Sequence, residues 1–136
     1  MKRVEIDELQ TFVGSKENIR WLWSIIDHYS GKLLAYVCGR RTTKTFKRLM
    51  ALVDDLHISI HYTDKLNIYK AFFSVDEHAV SKFKMQRIER LHLTYRTRIK
   101  RLTRRTICFS KCTQMHDLVI GIFINQYLFN VDLIST

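Results

Sequence analysis

Residues 19–38 read IRWLWSIIDHYSGKLLAYVC, and this stretch decides the class of fold. Residues 19–27 and 33–38 are dense in β-branched and aromatic side chains, which pack well on a pleated surface. Between them HYSGK, residues 28–32, supplies a turn, so the pattern is a β-hairpin. Towards the N-terminus, residues 4–12 have the same character and add a third strand. On the other side, Thr42 or Thr43 stands where a helix N-cap would, ahead of Phe46, Leu49, Met50 and Val53 at helical spacing. Residues 57–62 (HISIHY) alternate Ile58, Ile60 and Tyr62 with polar partners, the period of a half-buried strand. A further short strand is expected over 79–83. From Met85 onward, positions 85, 88, 95, 99 and 102, with His92 between, step by threes and fours and predict a long amphipathic helix. The order is three strands, helix, strand, a variable stretch, short strand, long helix. That order makes an α/β chain, a mixed sheet flanked by helices.

The chain has 136 residues, no Pro, four Gly and no repeat or low-complexity linker, so residues 1–136 are expected to form a single domain with its own core. Its 23 Lys and Arg against 13 Asp and Glu give a net charge of +10, which calls for a polyanionic partner, nucleic acid first and acidic membrane second. The opening MKRVEIDELQ places acids where a signal peptide needs an apolar run. The longest apolar stretch, residues 118–134, is broken by Asn125, Gln126, Asn130 and Asp132 and reads as a buried or docking helix, about 112–130, with no membrane partner. Cys38, Cys108 and Cys112 complete no zinc set and fit reduced thiols in a cytosolic protein; packing also accounts for the histidines.

Between Lys82 and Lys111 eleven bases accompany one acid, Glu89. An acid in a segment that only attracts polyanions would weaken it, and Glu89 falls at the border of the helix's apolar face. Two further carboxylates interrupt core elements: Asp7 in the first strand and Asp64 directly after HISIHYT. Neighbouring strand ends share a crevice, so Asp7 and Asp64 can meet there with Glu89 above them. Converging carboxylates repel unless a cation joins them, and a pair of Mg²⁺ (or Mn²⁺) ions on oxygen ligands suits in-line attack at phosphorus. Lys82, Lys84, Arg87, Arg90, Arg98, Lys100, Arg101, Arg104 and Arg105 would then hold the DNA backbone. Arg96, two turns beyond Glu89 and about 10 Å along the helix, would contact a phosphate near the scissile bond. Each residue also has a plainer reading. Asp7 lies between Glu5 and Glu8 and could be a surface acid of an edge strand. Asp27, its rival as first ligand, suits local turn chemistry, and Asp64 suits a turn or N-cap. Glu89 could pair with Arg90 or Arg96, a contact of little energy. Tyr69 or Tyr95 could stack on an unpaired base.

VEIDELQTFVGSK, WLWSIIDHYSGK, YTD, and RIE followed by a basic helix ending RRTICFSK together resemble the catalytic DDE half of transposases of the insertion-sequence-one family. The resemblance runs from about Val4 to Lys111. The 24 positions from 65 to 88 separate Asp64 from Glu89, the short spacing of that family, and Arg96 matches its basic residue seven positions after the Glu. What the resemblance implies is an RNase H-like core over about 3–111, with Asp7, Asp64 and Glu89 as the metal-binding triad. It implies Mg²⁺-dependent DNA cleavage at element ends and strand transfer, self-association in a synaptic complex, and a bacterial, nucleoid-associated cytoplasmic location. Two departures accompany it. The upstream DNA-recognition region of the family is expected to be lacking here, which would make an upstream-frame DNA-binding protein a partner, and the position three after the Glu, commonly Asn in the family, is His92. The contrasting reading is a decayed or truncated transposase acting only as a non-catalytic DNA-binding or regulatory protein.

Overall fold

In the computed structural model, residues 2–13, 15–98 and 113–125 are described. The hairpin forms as expected. β2 (Ser15–Asp27) and β3 (Leu33–Gly39) pair antiparallel, with Leu22 opposite Cys38 and Ile25 opposite Ala35. Gly31 sits at φ 74°, a left-handed conformation that strains any residue with a Cβ, and its N–H donates to the Asp27 carbonyl at 2.8 Å. The Asp27 carboxylate accepts the Ser30 N–H at 2.8 Å. Slight burial works against its charge, but the bonds from Ser30 prevail and hold its pKa below the usual value. Asp27 is therefore turn chemistry.

β1 (Lys2–Val13) lies at the centre of the sheet, antiparallel to β2 and parallel to β4 (Ile58–Thr63), and β5 (His78–Val80) adds in parallel to β4. The strand order is β3-β2-β1-β4-β5. Because helices cover both faces, residues 4–9 are buried without alternation. One face receives Phe46 and Leu49 of α1 (Thr43–Ala51) and Tyr69 of α2 (Asn67–Phe72), packed on Val4, Ile6, Trp23 and Ile25. Thr42 caps α1 by accepting the Thr45 N–H at 3.3 Å. The other face receives Met85, and Ile88 and Tyr95 of α3 (Gln86–Arg98), with Ile120 of α4 (Thr113–Phe123) and Ile124 beyond it, over Leu9, Leu22 and Ile26. Fully burying such side chains stabilises the fold by roughly 1.5–3 kcal/mol each. Arg20 on β2 clamps α4 through a two-pronged pair with Asp117, at 2.7 and 3.2 Å.

Three boundaries differ from expectation. α2 occupies the stretch expected to be variable. β5 ends at Val80 because residues 83–85 tighten into a 3₁₀ turn that leads into α3. The expected long helix is described to Arg98 and the expected C-terminal helix from Thr113 to Phe123. Positions 99 and 102, the bases Lys100, Arg101, Arg104 and Arg105, and Cys108 and Cys112 lie outside the described residues. No described helix is long and apolar enough to cross a membrane.

Candidate active site

β1 and β4 run parallel with Glu5 opposite Tyr62, so two residues further along each strand Asp7 comes level with Asp64. Asp7, Glu8 and Asp64 each place a carboxylate oxygen within 4.8 Å of the others. From above, α3 lowers Glu89 and His92 onto the same strand, and Asp7, Glu89 and His92 likewise bring ligand atoms within 4.8 Å of one another. Asp7 is common to both groups. The three acids singled out in the sequence thus converge on Asp7, which is central rather than on an edge strand. Glu89 is exposed and, among the described residues, forms no ion pair with Arg90 or Arg96.

A fully buried acid, Glu5, sets the height of α3. One of its oxygens accepts the Ile88 N–H at 3.0 Å, satisfying a donor of the first helical turn, and the other meets His28 Nδ1 at 2.9 Å. Ile88 adjoins Glu89, so this bond fixes where the Glu89 side chain leaves the helix.

The electrostatics of the crevice are unfavourable without a cation. Asp7 is pushed up to about 8, first by burial, then by the charge of Glu8 and, more weakly, by Asp64 and Glu89. Against this stands the Glu8 N–H, which donates to Asp7 Oδ1 at 2.9 Å. Burial raises Glu8 too, opposed by the Tyr69 hydroxyl, which donates to one of its oxygens, and by Arg41, which donates to the other at 2.9 Å. Arg41 is braced over the Trp21 ring at 4.6 Å. His92 is 2% exposed, and burial, aided by the positive charge of Arg96, drops its pKa to about 4, so the ring is neutral. Its Nδ1 lies 3.8 Å from Asp7 Oδ2, and its buried Nε2 has no hydrogen-bond partner among the described residues. Clustered carboxylates held at the edge of protonation, with a neutral imidazole beside them, are a donor set that fits divalent cations.

The bases divide between two sides of α3. Arg96 is exposed and lies on the strip of residues 89, 92 and 96 that faces the acids. Lys82, Lys84, Arg87, Arg90 and Arg98 are exposed as well. Arg87 and Arg90, however, border a shallow concavity with Ser30, Gly31, Leu91 and Thr94, on the opposite side of the helix from Glu89. Neither Tyr69 nor Tyr95 can stack on a base, since both are 0% exposed. Tyr69 instead serves Glu8, and the Tyr95 hydroxyl lies 3.2 Å from Ser24 Oγ. Glu5, Glu8 and Arg41 were not singled out in the sequence, and His92, read there as packing, sits among the acids. The one sequence signal for Glu8 is its place beside Asp7.

A mixed five-stranded sheet covered by helices on both faces, with acids gathered beside its central strand, defines an α/β protein of the RNase H-like class. The family model described as IS1 transposase matches residues 2–130. The chain is similar to the insertion element iso-IS1n protein InsB of Shigella dysenteriae, 44% identical over 125 residues that cover 92% of this chain and 95% of that protein. It is 38% identical over 121 residues to the insertion element IS1 protein InsB of Shigella sonnei, covering 89% of this chain and 92% of the relative. The same identity and length hold for the insertion element IS1 4 protein InsB of Escherichia coli K12, with 89% and 72% covered. The chain belongs to the IS1 transposase family, and a transposase role follows from that membership.

Proposed function

We propose that residues 1–136 form the catalytic domain of a DDE-type transposase that cuts DNA at insertion-element ends and transfers the freed strand. The observation that carries this reading is that two groups of ligand atoms, each within 4.8 Å, share Asp7. Asp7, Asp64 and Glu89 would hold Mg²⁺ or Mn²⁺. When bound, such ions lower the pKa of the attacking water or hydroxyl and neutralise the leaving oxygen in an in-line displacement at phosphorus. The chain's own residues do the rest. Arg41 and Tyr69 keep Glu8 in place beside Asp7, and Glu5 seats α3 so that Glu89 meets Asp7. Arg96 holds a phosphate next to the acids. Lys82, Lys84, Arg87, Arg90 and Arg98, with Lys100, Arg101, Arg104 and Arg105, carry flanking phosphates of element-end and target DNA. Joining two element ends calls for self-association, and an upstream-frame DNA-binding protein would recognise those ends. The place of action is the bacterial cytoplasm, at the nucleoid.

The test is Mg²⁺- or Mn²⁺-dependent cleavage and strand transfer on element-end DNA, comparing the parent with Asp64→Asn. A fused DNA-recognition module keeps the result independent of how the ends are found. Loss of both steps in the variant is expected; equal activity overturns the assignment.

A second reading, a DNA-binding or regulatory protein without catalysis, draws on the Arg87 and Arg90 concavity, which faces away from the acids. It expects salt-sensitive DNA binding that no divalent ion alters, and no shift in melting temperature when Mg²⁺ or Mn²⁺ is added.

A further inference from the structure

The described histidines buried or half-buried elsewhere in this molecule have partners. His28 Nδ1 meets Glu5 at 2.9 Å, and His61 Nδ1 meets the Glu77 carbonyl at 2.9 Å while its ring stacks on Phe73. His78 Nε2 lies against the Thr63 hydroxyl. Those are satisfied rings whose packing explains them. His92 is different. It is 2% exposed, its Nε2 is buried without a hydrogen-bond partner among the described residues, and its Nδ1 lies 3.8 Å from Asp7 Oδ2. That distance is too long for a hydrogen bond. It does suit two atoms that share one ion, since ligands each about 2.1 Å from an octahedral centre stand about 3–4 Å apart. Asp7 and Glu89 supply the oxygens of the same group.

We propose that His92 is a metal ligand through Nδ1, so that the part of the site formed by Asp7, Glu89 and His92 takes a first-row transition ion such as Mn²⁺ in preference to Mg²⁺. The inference rests on the reading of Asp7 and Glu89 as ligands and adds to it a nitrogen donor and an ion preference. Mg²⁺ favours oxygen ligands and gives up its waters reluctantly, whereas an imidazole nitrogen strengthens binding along the transition series. A buried ring already held beside two carboxylates needs little rearrangement to coordinate.

The experiment uses the full chain without DNA, loaded with Mn²⁺, and reads the pulsed EPR signal of nitrogen coupled directly to the ion. Protein grown with ¹⁵N-histidine identifies the source as one of the six histidines. The expected result is a histidine coupling in the parent that disappears in both Asp7→Asn and His92→Asn. In His92→Asn, Mn²⁺ affinity should fall about tenfold or more, with a smaller change for Mg²⁺. Bound Mn²⁺ with no histidine coupling in the parent would overturn the proposal while leaving the carboxylate site standing. A coupling that survives His92→Asn comes from another histidine, and one that survives Asp7→Asn comes from an ion outside this group; either result overturns it. Failure of the parent to bind Mn²⁺ at all sinks the carboxylate reading along with this one. If His92→Asn does not fold, the labelled parent and Asp7→Asn decide the matter.

Discussion

The two sides of α3 handle charge in opposite ways. On one, Glu89, His92 and Arg96 face Asp7, where burial and neighbouring carboxylates push an acid up to about 8. On the other, Arg87 and Arg90 stand in water beside the Gly31 turn. Charge on an exposed face changes stability little, whereas like charges gathered in a crevice strain the fold unless a counter-ion joins them. The difference is that the acidic side gathers like charges that, among the described residues, no paired base fully offsets, and such a cluster suits a bound cation. The basic side is an exposed surface whose sign suits a polyanion.

The largest separation between the two sides should appear in turnover. Asp64→Asn is expected to lower cleavage by about a thousandfold or more while DNA affinity stays near that of the parent, as measured by strand cleavage alongside a binding titration. Equal losses of both in this variant would break the contrast.

Next in size is a pH effect in the metal-free protein. Because the folded-state pKa of Asp7 is raised from 3.8 to about 8, the folded chain keeps a proton there that the unfolded chain has released. Asp7 therefore makes stability fall as pH rises from about 4 to about 8. Asp7→Asn should remove this fall and be the more stable protein at pH 8, on the order of a few kcal/mol in denaturant unfolding. His92 has the opposite sign. With its pKa lowered from 6.5 to about 4, it takes stability away as pH falls through that window, and His92→Asn should remove that loss.

Smaller again, Tyr69→Phe leaves one oxygen of buried Glu8 without its donor and should destabilise by about 1–3 kcal/mol in the same measurement. Arg87→Ala with Arg90→Ala should weaken DNA binding about tenfold and reduce the salt slope by about 2, with cleavage at saturating DNA unchanged. The smallest effect belongs to Asp117→Ala. It releases Arg20 and the clamp on α4 at a loss of about 1 kcal/mol or less, because that pair is partly exposed.

Much of the sheet was legible in the sequence because its signals are local. Alternation, β-branching and the HYSGK turn fixed the hairpin, and steps of three and four fixed the buried side of α3 through Ile88, His92 and Tyr95, with Met85 in the turn just before it. α2 was not legible. It has six residues, too few for a period to emerge, and its N-cap, Leu66, makes no side-chain capping bond. Asp64 shows how one residue can satisfy two readings, since its Oδ1 accepts the Leu66 N–H at 2.9 Å while another group of contacts joins it to Asp7 and Glu8. Glu8 escaped notice because adjacent strand residues point to opposite faces, which hides that both carboxylates reach the same crevice. Arg41 belongs to a loop 33 positions away, and nothing in composition or spacing links it to Glu8. The order Asp7, Asp64, Glu89 stood out through family likeness; their meeting is a property of the parallel β1–β4 register and of the seat that Glu5 gives α3.

The claim at the centre is that Asp7 joins two sets of cation ligands, and calorimetric titration of Mn²⁺ into the DNA-free protein tests it most directly. Asp7→Asn should abolish binding, while Asp64→Asn and Glu89→Gln should each remove only part of it. A binding curve for Asp7→Asn that matches the parent's would contradict the account.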